Sequence, residues 1–126
     1  MDKDSTEDYH GIIIMESLKD KTILDSLQIL GRKEGRVWTM LRVGVEVGRF
    51  KDTIKSISEN LMTVKEIPYY AHFYRNNELI VVFPGKIFFI TPNIETWKPV
   101  LAFGKSKGIP EEMLDFSPCK FQDETY

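Results

Sequence analysis

The stretch RVWTMLRVGVEVGRFKDTIKSISENL, residues 36–61, decides the fold class. In its first half Val37, Thr39, Leu41, Val43, Val45 and Val47 alternate with Arg36, Trp38, Met40, Arg42, Gly44 and Glu46. A period of two places the first set on one face of a strand and the second set on the other. Past Gly48 the period changes. Phe50, Ile54, Ile57 and Leu61 recur at helical steps, separated by Lys51, Asp52, Lys55, Ser58 and Glu59, which is the apolar stripe of an amphipathic helix. A strand packed on one face and followed by such a helix predicts a chain that mixes both elements.

Upstream, residues 27–32 read as the outgoing arm of a hairpin whose return is the strand just described, with the turn at 33–35 and Gly35 supplying a positive φ. Residues 9–16 (YHGIIIME) form a β-branched run, apolar on both faces in its middle and therefore central in a sheet. Residues 17–24 carry Leu18, Ile23 and Leu24, and a helix, a turn or a bent connection all fit that length. Downstream of Pro68 come three strands, 69–75, 78–83 and 86–91, joined by Asn76-Asn77 and Pro84-Gly85. A last helix spans about 96–107, with Pro99 in its first turn and Gly108 as a left-handed cap. Beyond Pro110, Met113, Leu114 and Phe116 are placed to close over the core as a lid. The expected fold class is α+β, a mainly antiparallel sheet with helices on one face. If 17–24 is helical, the first part has the βαββαβ order of ferredoxin-like folds.

Composition bounds the rest. The 126 residues, 42% apolar with a net charge of −2, suit one domain with one hydrophobic core: a tail at 1–8, a domain at 9–121 and a tail at 122–126. The longest apolar run is the five residues Leu79–Phe83, far short of the roughly 20 that cross a bilayer, so no membrane role is expected. The first eight residues hold four acids and one lysine, unlike a secretory signal. With Cys119 as the lone thiol, the expected location is the reducing cytoplasm. His10 and His72 are the only imidazoles and show no HxH or HxxxH spacing, so neither metal nor cofactor is expected. Balanced charge supplies no general attraction for phosphate backbones, and nucleic acid is an unfavoured partner.

Several strings together resemble a small uncharacterised family of bacterial and archaeal proteins of about this length. They are Tyr9-His10-Gly11-Ile12-Ile13-Ile14 with Glu16-Ser17-Leu18, then Trp38, Tyr69-Tyr70-Ala71-His72-Phe73, residues 79–83, Lys86-Ile87-Phe88 and residues 108–116. The resemblance implies a self-contained domain and carries no reaction, ligand or catalytic residue.

The residues themselves offer two candidate surfaces. On the strand 69–75, Tyr70, His72 and Tyr74 share one side, while Ala71 and Phe73 are the better core pair. If the valines of 36–47 pack under helices, Trp38, Met40 and Arg42 join that other side, giving an aromatic, partly basic platform for a planar ligand or an interface. The same residues become ordinary core if a loop, the 113–116 lid or a second layer covers them. The strands 78–83 and 86–91 are apolar on both faces, so Ile80, Val82, Phe88 and Ile90 are the candidate surface of a homodimer formed by sheet packing. His10 or His72 could act as a general base with Glu16, Glu46, Glu78 or Asp115 nearby, but no spacing joins them and no catalytic residue is assigned. The Gly31–Gly35 loop joins two strands and lacks the GK[ST] ending of a phosphate loop. The expected function is a non-catalytic module acting through self-association, the alternative being a small-molecule-binding protein or small enzyme built on the platform.

Overall fold

A computed structural model describes residues 8–126, so the expected N-terminal tail lies, apart from Asp8, outside the described residues. The sheet-forming strands are β1 (Tyr9–Ile14), β2 (Gln28–Glu34), β3 (Thr39–Val45), β6 (Ala71–Arg75), β7 (Glu78–Phe83) and β8 (Lys86–Ile90). Two-residue strands β4 (Thr63–Val64) and β5 (Ile67–Pro68) make a separate small hairpin. The helices are α1 (Phe50–Asn60) and α2 (Lys98–Ser106). The six main strands form one antiparallel sheet in the order β2-β3-β1-β6-β7-β8, with β1 in the interior as its doubly apolar sequence demands. The class is α+β.

Register sorts the side chains into rows. Arg42 pairs with Ile12, Ile12 with His72, His72 with Val81 and Val81 with Phe88, so this row crosses five strands on one face. The next row, Val43, Gly11, Phe73, Ile80 and Phe89, points the other way. Gly11 is required there: a Cβ would run into the Phe73 ring and lie 2.9 Å from the His72 carbonyl oxygen.

Two cores result. Under α1, Ile13, Leu41, Val43, Phe73, Ile80 and Val82 meet Phe50, Ile54 and Ile57. On the opposite face Ile12, Tyr74, Leu79, Val81 and Phe83 meet Val100 of α2 and Ile109, Leu114 and Phe116 of the chain that follows it. The helices therefore lie one on each face, which corrects the expectation that both share one. The second layer exists because α2 is followed by residues 109–126, long enough to cross the sheet.

This layering also overturns the expected dimer surface. Ile80 and Val82 are buried beneath α1, whereas Phe88 and Ile90 are half-buried on the α2 side. Antiparallel pairing of Val81 with Phe88 fixes that split, so the four residues never formed one face.

Smaller departures have local causes. Residues 17–24 give two short 3₁₀ segments, Met15–Ser17 and Lys21–Ser26, in place of an α-helix, the second capped by the Asp20 carboxylate accepting from Thr22 N at 2.9 Å. The β2–β3 turn sits at 35–38, closed by Gly35 N donating to Trp38 O, and Gly35 does not adopt a positive φ. Gly108 does, at 93°. Ile109 N donates to Gly104 O and Gly108 N to Lys105 O, a Schellman cap that turns the chain from α2 back over the sheet. The expected tail 122–126 is pinned to the sheet, as described next.

Candidate ligand-binding cleft

The six platform residues do share one face, and residues 109–126 lie across it as a strap. Lacking a ladder of its own, the strap borrows the sheet's polar side chains. His72 Nε2 lies 2.9 Å from the Pro118 carbonyl oxygen, and Tyr70 donates its hydroxyl to the carbonyl of Met113. Further along, Glu124 accepts from Tyr74 Oη at 2.6 Å and from Arg42 Nη1 at 3.0 Å, and lies 2.6 Å from His10 Nδ1. The main-chain oxygen of Tyr126 takes Arg42 Nε, and Phe121 stacks on the His10 ring at 4.0 Å.

The strap divides the platform. Arg42 and Tyr74 are consumed by the Glu124 latch, so Arg42 is not free to meet an anionic ligand and the platform is not an open interface. Burial, then the hydrogen bond to Glu124, pushes the Tyr74 hydroxyl far above its ordinary pKa. Trp38, Met40, Tyr70 and His72 instead line a cleft of about 550 Å³ at the other end of the strap. Ile12 and Ile14 contribute the floor from β1, the β4–β5 hairpin supplies Val64, Lys65 and Ile67, and the strap supplies Ile109, Met113 and Asp115. Such a volume lies within the range of small-molecule sites.

Two features of the wall set its chemistry. His72 is buried, and burial depresses its pKa to about 4, so the imidazole is neutral at pH 7. A carbonyl can only accept, so Nε2 carries the hydrogen towards Pro118 and Nδ1 is left as an acceptor. Tyr70 is likewise committed as a donor, and burial raises its pKa to about 12. The second feature is the hairpin. Its two turn residues, Lys65 and Glu66, both have positive φ, at 53° and 69°, where a two-residue turn ordinarily uses Asn or Gly. Nothing in Thr63-Val64-Lys65-Glu66-Ile67-Pro68 announces such a turn, and sequence reasoning missed it.

The other candidates disperse. Glu16 accepts from Thr39 N at 2.7 Å and from its hydroxyl at 2.9 Å, bonds that hold its carboxyl below the usual range. Glu78 accepts from Tyr9 and Arg75, and Glu46 pairs loosely with Arg49 at the surface. Of these four candidate acids only Asp115 reaches the cleft with His72, and Glu112, which was not singled out, lines it too. Burial raises the Cys119 thiol, outweighing the lowering expected from Lys120. Among the described residues no group of three His, Cys, Asp or Glu side chains could hold a metal ion. Among them too, no helix is long and apolar enough to cross a membrane.

No family model matches the chain, and no curated protein or solved structure is similar to it at a significant level.

Proposed function

We propose that the protein binds a small, mainly apolar molecule in the cleft between the β4–β5 hairpin, the strap and the β1–β3–β6 face. One observation carries this reading. Of seven large hydrophobic side chains exposed among the described residues, three, Val64, Ile67 and Met113, converge on this cleft. Apolar surface gathered in a concavity beside a strained turn is the physical mark of a ligand site. Trp38 and Tyr70 add flat aromatic surface, and His72 adds one oriented acceptor.

The test is a thermal-shift screen run in parallel on the wild type and Trp38→Ala. A ligand at 100 times its Kd stabilises the fold by about 2.7 kcal/mol, a shift of several degrees for a domain of this size. The reading expects compounds that shift the wild type and lose that shift in the variant. Hits indifferent to Trp38, or a flat screen across apolar and aromatic compounds, would count against it.

A second reading, self-association, keeps one observation in its favour: Phe89 is 69% exposed on the edge strand β8. Phe89→Glu should then halve the light-scattering mass, and an unchanged mass removes that surface. As part of the same proposal, the β2-β3-β1-β6 portion is read as a ferredoxin-like arrangement whose first helix has shrunk to 3₁₀ turns. A cytoplasmic location and kinship with the uncharacterised family complete it, and neither bears on the ligand.

A further inference from the structure

We infer that the cleft selects an organic cation, an amine or alkylammonium carried on an apolar or aromatic body. This rests on the cleft being a binding site and goes on to assign its ligand class.

Three observations converge. Two uncharged polar groups of the wall present only lone pairs. His72 has spent its one N–H on Pro118 O and Tyr70 its one O–H on Met113 O, so neither has a donor left to give. Two carboxylates, Glu112 and Asp115, line the strap side against a single ammonium, Lys65, at the turn of the hairpin. Asp115 Oδ1 accepts from Ser117 N at 3.1 Å, an exposed backbone bond that fixes the carboxylate without neutralising it. Finally, the aromatic wall presents Trp38 with Tyr69 packed edge-on at 6.4 Å, and Tyr70. Ring faces attract cations and are indifferent or unfavourable to anions.

A neutral ligand would gain the apolar contacts and an uncharged hydrogen bond at most. An anion would meet two like charges, with Lys65 and the N–H and O–H groups of Trp38, Tyr69 and Ser117 in compensation. A cation meets ring faces, carboxylates and an imidazole lone pair at once.

The experiment titrates the full chain by calorimetry with three compounds of one skeleton, 4-phenylbutylamine, 4-phenylbutanol and 4-phenylbutyrate. The amine is expected to bind roughly tenfold tighter than the alcohol, with the acid weakest. In an Asp115→Asn, Glu112→Gln double variant the amine's advantage should fall to about threefold or less, while the alcohol is unaffected. Asn retains the oxygen that accepts from Ser117, and an unchanged melting midpoint without ligand confirms the fold. Equal affinities for all three, abolished by Trp38→Ala, would overturn the cation assignment and leave the cleft as a binding site. Preference for the acid would overturn it in favour of Lys65. An amine preference that survives the double variant would also overturn the assignment to these carboxylates. Absence of Trp38-dependent binding by any of the three would count against both readings.

Discussion

Beneath α1 the sheet presents Leu41, Val43, Phe73, Ile80 and Val82 to a helix that satisfies its own backbone, so that face needs only apolar side chains that fit. Across the same strands the opposite face is closed in part by residues 109–126, which have no ladder, and Tyr70, His72, Tyr74 and Arg42 must supply hydrogen bonds to them. The consequence is a difference in completeness. A helix seals the face beneath it, whereas a strap held at discrete points seals where its latches are. Around Glu124 the latch is dense, and between Met113 and the β4–β5 hairpin a cleft is left. Polar residues facing a sheet thus signal a covering segment without strand or α-helix, here one holding only the short 3₁₀ turns Glu111–Met113 and Phe121–Asp123.

The comparison breaks first at the two buried phenylalanines. Phe73 and Phe116 are both fully buried, one on each face. Phe73→Ala should cost about 3–5 kcal/mol in urea unfolding, since α1 and the strands cannot close the hole. Phe116→Ala should lie at the lower end of that range or beneath it, because an irregular strap can slump into the space. Equal losses would mean that the strap is as rigid as the helix.

The second expected effect is a pH dependence confined to the strap face. Free in the unfolded chain, His72 titrates near 6.5, and folded it titrates near 4. The unfolded state therefore binds more protons between those values, and stability falls as pH drops through that window. Above pH 6.5 the contribution is fully present, and below about 4 nothing further is lost. At 1.36 kcal/mol per pH unit the gap amounts to about 3 kcal/mol. Urea unfolding of the wild type and His72→Gln at pH 7.5 and 4.5 isolates it: Gln can still donate to Pro118 O but does not titrate. An identical pH slope in the two proteins would show that His72 is not buried as neutral imidazole.

A third effect concerns the strap's anchorage to α2. A Cβ at Gly104 would sit 2.7 Å from Leu114 Cδ2. Gly104→Ala should destabilise by about 1–3 kcal/mol and speed amide exchange in residues 109–117 while leaving α1 protected. Uniform acceleration through both faces would mean that the faces unfold as one unit. The smallest effect is at the hairpin, where Lys65→Asn with Glu66→Gly relieves two positive-φ side chains. It should stabilise by about 1 kcal/mol, measured by thermal unfolding. A loss of stability would show that the turn is already relaxed.

These contrasts follow how legible each part is in the sequence. Residues 36–61 announce a strand and a helix because one face of each is buried and the other solvated, which is the condition under which periodicity reports structure. The parity of Tyr70, His72 and Tyr74 against Ala71 and Phe73 was readable from side-chain chemistry, polar-tipped rings against apolar groups, although both faces of that strand are buried. What covers the tyrosine face was not. Leu114 and Phe116 were recognisable as a lid, but Glu124 and Tyr126 sit in a polar stretch whose partners are residues such as Arg42, 82 positions away from Glu124. The dimer surface failed differently. Ile80, Val82, Phe88 and Ile90 look alike in composition, and only the pairing of Val81 with Phe88 assigns them to opposite faces. The β4–β5 hairpin was invisible because its turn uses Lys and Glu where Asn and Gly would signal one.

The central claim is that the incompletely sealed end of the strap face takes a ligand, and Trp38 reports on it directly. Trp97 is the second indole and packs in the α2 core, so a Trp97→Phe variant leaves Trp38 as the sole indole. Titrated with 4-phenylbutylamine, this variant should show a saturable change in indole emission whose midpoint matches the calorimetric Kd. Binding by calorimetry with no change in Trp38 emission would place the ligand elsewhere and contradict the account.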